Sequence, residues 1–320
     1  RERVGTILDD KYRIVRLIGE GGMGAVYEAE HLVIGHRVAL KFLRGEYASN
    51  ADLVARFMRE ARSAAAVGSD HIVGMVDVGK SPDGSPYMVM EYLEGESLGG
   101  RLAKVRPLPV YQAVDIAVQL CEGIDAAHQR GVVHRDMKPE NIFLIVNGAR
   151  RDFVKILDFG ICKFKEGNDV ALTTTGMTLG TPAYMPPEQA RGDRDLDHRV
   201  DIYAIGTLLY LMTTGTLPYR ADSYNALIVQ IVTMPLTKPR ERRPDLPAAL
   251  EEIILKAMAP NKDERYEYAA EFASDLLGFA TSHPSIAAKM PKPGAESSAP
   301  HPRMASDFKS TAAGTPASLR

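Results

Sequence analysis

The sequence predicts an α+β fold in two lobes, a small β-rich N-terminal lobe with one long helix and a larger helical C-terminal lobe. Before residue 93, runs of β-branched and aromatic residues alternate with glycines and with one helical stretch. After residue 93, apolar residues recur mainly at helical spacing. This change of pattern predicts lobes at about 10–92 and 93–281, with a cleft between them.

Five strands and one helix are predicted in the N-terminal lobe. The helix, at 52–67, follows from Leu53, Phe57 and Ala61, which recur at helical spacing in a stretch without proline or glycine. The turn Pro82-Asp83-Gly84 separates the last two strands. The predicted strands are 12–18, 25–32, 36–43, 72–78 and 87–92.

The C-terminal lobe should begin with a long helix after Pro109, because Ala113, Ile116 and Leu120 trace one apolar face. The most apolar stretch, 202–212, falls well short of the roughly 20 residues that cross a bilayer. It therefore predicts a buried core helix and no direct membrane contact by this segment. Short strands are predicted at 142–145 and 154–157, and helices at 200–213, 225–232, 248–258 and 269–279.

The composition is that of a globular protein, with 45% hydrophobic and 25% charged residues. The formal net charge of −2 gives no electrostatic reason to expect nucleic acid as a partner. Cys121 and Cys162 lack the CxxC spacing of a metal or redox site. We expect reduced thiols in a cytoplasmic protein, with a reactive thiol at Cys162 as the alternative.

Residues 282–320 are rich in Pro, Ala, Ser, Lys and Gly and contain few large apolar side chains. Such a segment cannot bury enough surface to offset its ordering entropy, so it predicts a disordered tail. A flexible linker is favoured over an array of regulatory phosphorylation sites. The chain begins at Arg1 without an initiator methionine, and we expect it to be a fragment of a longer protein.

The segment 19–24 fits the pattern GxGxxG, which lets a backbone approach phosphates closely. Alone, this pattern leaves phosphate binding and a plain flexible turn as equal alternatives. A dinucleotide-binding fold needs a helix after the glycines, whereas 25–29 favours a strand. The loop is therefore expected to connect a hairpin.

Lys41 is flanked by apolar residues on a predicted strand, so its ammonium either reaches solvent or meets a buried partner. Glu60, on the inward face of the following helix, is the candidate partner. The catalytic loop, which we define as 134–141, contains His134, Arg135 and Asp136 and must leave the preceding helix.

Asn141 ends this loop, and Asp158 follows a β-like apolar run. Their side chains supply the hard oxygen ligands that Mg²⁺ requires. Each of these motifs alone could be a solvated turn, but all of them in this order favour a phosphate-transfer site.

Together these residues resemble the motifs of the eukaryotic-type serine/threonine protein kinases. The sequences of these motifs are similar to those of the bacterial receptor-type members. The resemblance covers about 10–281 and implies the bilobal protein-kinase fold. It implies transfer of the γ-phosphate of Mg-ATP to protein serine and threonine hydroxyls, with Mn²⁺ as an alternative ion. Protein substrates are the expected partners.

The resemblance also implies roles for single residues. Asp136 would accept or orient the substrate hydroxyl proton, and Lys138 would neutralise the γ-phosphate. Lys41, paired with Glu60, would hold the α- and β-phosphates, and the Thr181 hydroxyl would reach Asp136. Asn141 and Asp158 would bind two metal ions. The nucleotide site would comprise Ile18, Gly19, Glu20, Gly21, Gly22, Met23, Gly24, Ala25, Val26, Ala39, Lys41, Met90, Glu91 and Leu93, with 91–93 as the hinge that hydrogen-bonds the base.

Two further positions match structural residues of the family. Asp201 would anchor the catalytic loop, and Arg265 would pair with Glu188 of a triplet that reads Pro186-Pro187-Glu188 instead of Ala-Pro-Glu. We expect little effect from Pro186. Lys138 is typical of serine/threonine rather than tyrosine kinases.

Activation by autophosphorylation is expected on Thr173, Thr174, Thr175 or Thr178, since a phosphate there could pair with Arg135. The alternative is that threonines are simply common in polar loops. Self-association would allow phosphorylation in trans, and an inner-membrane anchor of the parent protein would be consistent with bacterial relatives. An ATP-binding pseudokinase or scaffold is the alternative function, and the intact Lys41 and Asp136 argue against it.

Overall fold

The computed structural model describes residues 3–21, 24–159 and 182–291. The strands are β1 (Ile7–Leu8), β2 (Tyr12–Glu20), β3 (Gly24–His31), β4 (Arg37–Leu43), β5 (Met75–Lys80), β6 (Pro86–Glu91), β7 (Gly95–Ser97), β8 (Ile142–Asn147) and β9 (Arg150–Ile156). The helices are α1 (Gly45–Ala48), α2 (Ala51–Val67), α3 (Leu98–Lys104), α4 (Val110–His128), α5 (Pro187–Arg191), α6 (Arg199–Thr214), α7 (Tyr224–Thr233), α8 (Pro239–Arg242), α9 (Ala248–Ala257), α10 (Ala269–Ser282) and α11 (Pro284–Ala287). The predicted division into a β-rich and a helical lobe is confirmed.

The N-terminal lobe is built on an antiparallel sheet in the order β1-β2-β3-β4-β6-β5. The glycine-rich segment connects β2 to β3, and Gly19 pairs with Val26 in that hairpin. A strand therefore follows the glycines, which confirms the predicted hairpin. A Cβ atom at Gly24 would lie 2.2 Å from the carbonyl oxygen of Phe42, so only glycine allows β3 and β4 to approach so closely here.

Helix α2 packs its buried face against this sheet. Its first turn is capped by the Asn50 side chain, which accepts hydrogen bonds from the backbone N–H groups of Asp52 and Leu53. The helix ends at Gly68, whose φ of 67° is left-handed. Phe57 and Ala61 lie in one apolar cluster with Leu43, Val73 and Met88, and Glu60 belongs to the same inward face.

The C-terminal lobe is organised around α4 and α6. Nearly every residue of α6 is buried, as the apolar stretch 202–212 predicted, and α4, α9 and α10 contribute to the same core. Within the described ranges, none of the helices has both the length and the apolar character that crossing a bilayer requires. A small antiparallel sheet, β7-β8-β9, lies at the side of this lobe that carries the catalytic loop.

The strand predicted at 72–78 begins only at Met75. Its first residues pair instead with the end of β9, where the Val73 N–H donates to the Ile156 carbonyl (3.0 Å) and the Ile156 N–H donates to the His71 carbonyl (2.7 Å). These backbone bonds join the loop after α2 to the C-terminal lobe.

Defined structure extends beyond both predicted limits of the domain. At the N-terminus, β1 pairs with β2, and Arg3 forms an ion pair with Asp83 at 2.6 Å. At the other end, α10 runs to Ser282 and α11 follows it, with Ile286 buried against the core. The rest of the predicted tail, 292–320, lies outside the described residues.

Candidate active site

Lys41 lies on β4, and its side chain is largely buried, with 15% exposed. Its Nζ is 3.0 Å from Glu60 Oε1 and 2.7 Å from Asp158 Oδ1. Burial alone would lower the pKa of Lys41, but Asp158 and Glu60 outweigh it and raise that pKa above its ordinary value. The alternative in which Lys41 reaches out to solvent is excluded, and the lysine is a fixed cation facing the cleft.

The catalytic loop is anchored by the buried carboxylate of Asp201, at the start of α6. Asp201 accepts hydrogen bonds at 2.8 Å from the backbone N–H groups of His134 and Arg135. Burial alone would raise the pKa of Asp201, but its bond to His128 and the nearby His134 hold that pKa below its ordinary value. The ionised side chain therefore fixes the loop although Arg135 has a left-handed φ of 63°.

Three side chains of the catalytic loop converge on one point. The Asn141 amide donates to the Asp136 backbone carbonyl at 2.8 Å and to Asp136 Oδ2 at 2.9 Å. Lys138 Nζ lies 3.1 Å from the same carboxylate oxygen. A short 3-10 turn, Pro139–Asn141, returns the chain so that Asn141 can reach back to Asp136. This geometry holds the Asp136 carboxylate in a single orientation beside a cation.

Asp158 follows β9 with a left-handed φ of 47°, which turns its side chain toward Lys41. Burial alone would raise the pKa of Asp158, but Lys41 lowers it below the ordinary value. Next to it, Phe159 is buried, and its ring packs 4.7 Å from that of His134. The carboxylate at the cleft is therefore ionised and attached to a fixed segment.

The residues present fit a divalent cation. Asn141 directs its NH₂ group at Asp136, so its amide oxygen is the remaining ligand atom, and Asp158 adds a carboxylate. In the described part of the chain, no cluster of three or more His, Cys, Asp or Glu side chains forms a complete metal site. A hard cation such as Mg²⁺ accepts one or two protein ligands when phosphate oxygens and water supply the others.

An apolar surface lies beside these polar groups. Ala39 and Met90 are buried in the cluster that also contains Val26 and Leu93, at the predicted adenine pocket. Ile18 is exposed on β2, next to Gly19. The remaining described loop residues, Glu20, Gly21 and Ala25, belong to the β2–β3 hairpin, in which the Gly21 N–H donates to the Gly24 carbonyl.

Seven predicted site residues lie outside the described residues, namely Gly22, Met23, Thr173, Thr174, Thr175, Thr178 and Thr181. The sequence interpretation also missed one residue that supports the site. His128, at the end of α4, places Nε2 at 2.9 Å from Asp201 Oδ2 and so helps to hold the catalytic loop. A histidine in the last turn of a helix just before the catalytic loop is the signal that could have revealed it.

Farther from the cleft, Arg265 and Glu188 form a buried bidentate ion pair at 2.6 and 2.8 Å. Pro186 is the residue before α5 and does not disturb this pair, as expected.

Residues 12–277 match the family model described as the protein kinase domain. The chain belongs to the protein kinase family.

This kinase domain is similar to several bacterial serine/threonine-protein kinases. It is 40% identical over 283 residues to Pkn1 and 42% identical over 279 residues to pkn3, both of Myxococcus xanthus. It is 38% identical over 273 residues to PknB of Mycolicibacterium smegmatis. These alignments cover 84–88% of this chain but only 40–51% of the relatives. The chain therefore spans about half the length of the curated relatives that it matches, or less.

Solved structures show the same fold. The kinase domain of Mycobacterium tuberculosis PknI matches with a TM-score of 0.67 and 28% identity, over 87% of this chain and 98% of that one. A mutant form of the same PknI kinase domain matches with a TM-score of 0.65 and 28% identity, over 86% of this chain and 97% of that one. Protein kinases use ATP and a divalent metal ion and act on protein substrates.

Proposed function

We propose that this kinase domain transfers the γ-phosphate of ATP to serine and threonine hydroxyls of proteins. The observation that carries the proposal is the position of Lys41, between Glu60 of the N-terminal lobe and Asp158 of the C-terminal lobe. This arrangement joins a cation for phosphates to a carboxylate for a metal ion across one cleft. The catalytic loop then supplies Asp136 at the edge of the same cleft.

Lys41 would bind the α- and β-phosphates. Its pKa is raised by two carboxylates, so the ammonium is charged at neutral pH. Glu60 limits the freedom of the side chain, so little ordering is needed when phosphate oxygens arrive. The fixed positive charge would stabilise the phosphates in the transition state as well as in the bound substrate.

Asp136 would receive or orient the proton of the attacking hydroxyl. Its Oδ2 accepts from Asn141 and lies beside Lys138, so one carboxylate oxygen is fixed and the orientation of the other follows. Lys138 would neutralise charge on the γ-phosphate as it moves from ATP to the hydroxyl. A lysine two positions after the aspartate supports serine and threonine as acceptors.

Mg²⁺ is the ion we propose for Asn141 and Asp158, with Mn²⁺ as an alternative, because both ligands offer hard oxygen atoms. When bound, such an ion neutralises phosphate charge and aligns the triphosphate. The hinge, 91–93, would hydrogen-bond the adenine base through its backbone, above the apolar surface of Ala39 and Met90. The glycine-rich hairpin 19–26 would cover the phosphates.

Regulation by autophosphorylation remains part of the proposal. Candidate acceptors are Thr173, Thr174, Thr175 and Thr178, and Thr181 would contact Asp136 during transfer. Arg135 supports this proposal, because it is adjacent to Asp136 and a phosphate ordered beside it would act on the catalytic loop. Mass spectrometry after incubation with Mg-ATP tests it, and the absence of phosphate on all four residues would contradict it.

Self-association would let one copy phosphorylate another. A cytoplasmic location of the domain, and an inner-membrane anchor elsewhere in the parent protein, are further proposals. The curated relatives are about twice as long as this chain, which leaves room for such an anchor outside the kinase domain.

Transfer of radiolabelled phosphate from ATP to a generic basic protein tests the proposed function. Asp136→Asn should reduce the rate by about 10²–10⁴-fold, because the positioned base is lost. Asp222→Asn is the matched control, since Asp222 is an exposed aspartate in the loop before α7. Equal rates for the wild type and Asp136→Asn would contradict the assignment, and ATP binding without any transfer would favour the scaffold alternative.

A further inference from the structure

Two arginines connect the cleft-facing side of the N-terminal sheet, which also carries Ala39 and Lys41, to the segment that joins the lobes. The guanidinium carbon of Arg37 lies 3.9 Å from the centre of the Tyr92 ring, within the hinge. Arg37 also forms an ion pair with Glu94, immediately after the hinge. Arg16 donates from Nη2 to the Tyr92 hydroxyl at 3.2 Å. The hinge is thus held from the side of β2 and β4.

Glu28 is the residue that positions both arginines. It lies on β3, between the strands that carry Arg16 and Arg37, and only 7% of it is exposed. Its Oε1 accepts from Arg37 Nε at 2.8 Å, and its Oε2 lies 2.7 Å from Arg16 Nη2. Burial alone would raise the pKa of Glu28, but Arg37 and Arg16 outweigh it and keep the pKa below its ordinary value.

The hinge is also held from the C-terminal lobe. The Glu91 carboxylate accepts from Lys155 Nζ at 2.7 Å and from the Gly74 N–H at 2.7 Å. Lys155 lies on β9 and is almost fully buried. Consequently the first hinge residue is fixed to the larger lobe, whereas Tyr92 is fixed to the sheet of the smaller lobe.

We propose that Arg16, Glu28 and Arg37 form a hinge clamp that positions the hinge backbone for the adenine base. This inference rests on the proposed function, in which 91–93 binds the base. Hydrogen bonds to adenine are directional, so a hinge that is ordered before binding requires less ordering when ATP arrives. The planar guanidinium of Arg37 suits this role, because it can cover the Tyr92 ring and bind two carboxylates at once.

If the hinge clamp positions the hinge for the adenine base, its loss should affect only ligands that contain the base. Loss of the hinge clamp should weaken ligands that contain adenine and leave ligands that contain only the triphosphate unaffected. Arg37→Ala is the test variant. Arg13→Ala is the matched control, since Arg13 forms an exposed pair with Glu30 (2.5 Å) on the same sheet and this pair includes neither Tyr92 nor Glu28.

Equilibrium binding of Mg-ATP and of inorganic tripolyphosphate with Mg²⁺, together with KM and kcat for ATP, gives the readout. For Arg37→Ala we expect the Kd and KM for ATP to rise about tenfold, as loss of a partly exposed stacked cation implies. The affinity for tripolyphosphate and kcat should stay within about twofold. Arg37→Lys keeps the charge but not the planar surface, so it should not restore the affinity for ATP.

Three results would overturn the hinge clamp: equal ATP affinities for Arg37→Ala and Arg13→Ala, equal losses of affinity for ATP and tripolyphosphate, or full restoration by Arg37→Lys. The second of these would indicate a general defect of the fold. Binding is measured without phosphate transfer, so a wild-type protein that binds ATP and transfers nothing would contradict the proposed function and not the clamp.

Discussion

Lys41 Nζ lies 2.7 Å from Asp158 Oδ1, although 117 positions separate the two residues in the sequence. One residue belongs to the sheet of the N-terminal lobe and the other follows the last strand of the C-terminal lobe. Their contact, together with the contact between Lys41 and Glu60, joins the two lobes. Phosphate transfer should depend on this contact, whereas stability should depend on the anchors of the C-terminal lobe.

Lys41→Met should reduce phosphate transfer by about 10²–10³-fold, because the charge aimed at the phosphates is removed. The pKa of Asp158 should also rise, since burial raises it and Lys41 is the group that lowers it most. Transfer of radiolabelled phosphate measures the first effect. Lys80→Met, at an exposed lysine of β5, is the control, and an unchanged rate in Lys41→Met would remove Lys41 from the site.

Asn141→Ala should raise the concentration of Mg²⁺ needed for half-maximal transfer by about 10–100-fold, as is usual when groups that hold a metal are altered. Chelation of divalent ions should abolish transfer in the wild type. Titration with Mn²⁺ in the presence of ATP, followed by electron paramagnetic resonance, measures metal binding separately from catalysis. Asn147→Ala, at the end of β8, is the matched control; a metal requirement that is the same in both variants would contradict the assignment.

Asp201→Asn should lower the free energy of unfolding by about 3 kcal/mol at pH 7, since a buried charged acceptor of backbone hydrogen bonds is lost. The folded pKa of Asp201 lies below its ordinary value of about 3.9, so its contribution is complete above that pH and is lost as the pH falls through the folded pKa. The difference between wild type and variant should therefore shrink toward pH 3.

Urea unfolding at pH 7 and at pH 3 measures this difference. Asp245→Asn removes an exposed aspartate and should change stability by less than about 0.5 kcal/mol. A difference between wild type and Asp201→Asn that is the same at both pH values would show that folding does not lower the pKa of Asp201.

Arg265→Met should lower the free energy of unfolding by about 3–5 kcal/mol, because Glu188 is left as an unpaired buried charge. Glu188→Leu combined with Arg265→Met should recover part of that loss, since no isolated charge then remains. A double-mutant cycle measured by urea unfolding tests the pair. If the changes in the free energy of unfolding caused by the two single substitutions add up to that of the double variant, the two side chains have no coupling free energy.

Long helices could be predicted from the sequence because their apolar residues repeat over several turns. The predicted bounds of α2 and α6, and the predicted start of α4 after Pro109, agree with the structure within a few residues. The pairing of Lys41 with Glu60 was predicted for a related reason, since helical periodicity places Glu60 on the inward face. A residue distant in sequence can be assigned to a site when the periodicity of its helix or strand shows that its side chain faces that site.

Other features leave no periodic signal. The short elements β7 and α3 were missed, because three strand residues, or a helix that includes Gly99 and Gly100, contain too little pattern to detect. The stacking of Arg37 on Tyr92 joins the first residue of β4 to the residue that follows β6. Such a contact depends on the register of the sheet and cannot be read from either segment alone.

The backbone bonds between Val73, Ile156 and His71 make the C-terminal end of α2 a pivot. If α2 rotated about this point relative to the larger lobe, its displacement would grow with distance along the helix axis. Glu60 lies eight residues before Gly68, about 12 Å away at 1.5 Å per residue. A rotation of about 10° would move its carboxylate by about 2 Å, so a small rotation could break the Lys41–Glu60 ion pair while the backbone bonds at the end of α2 stay intact.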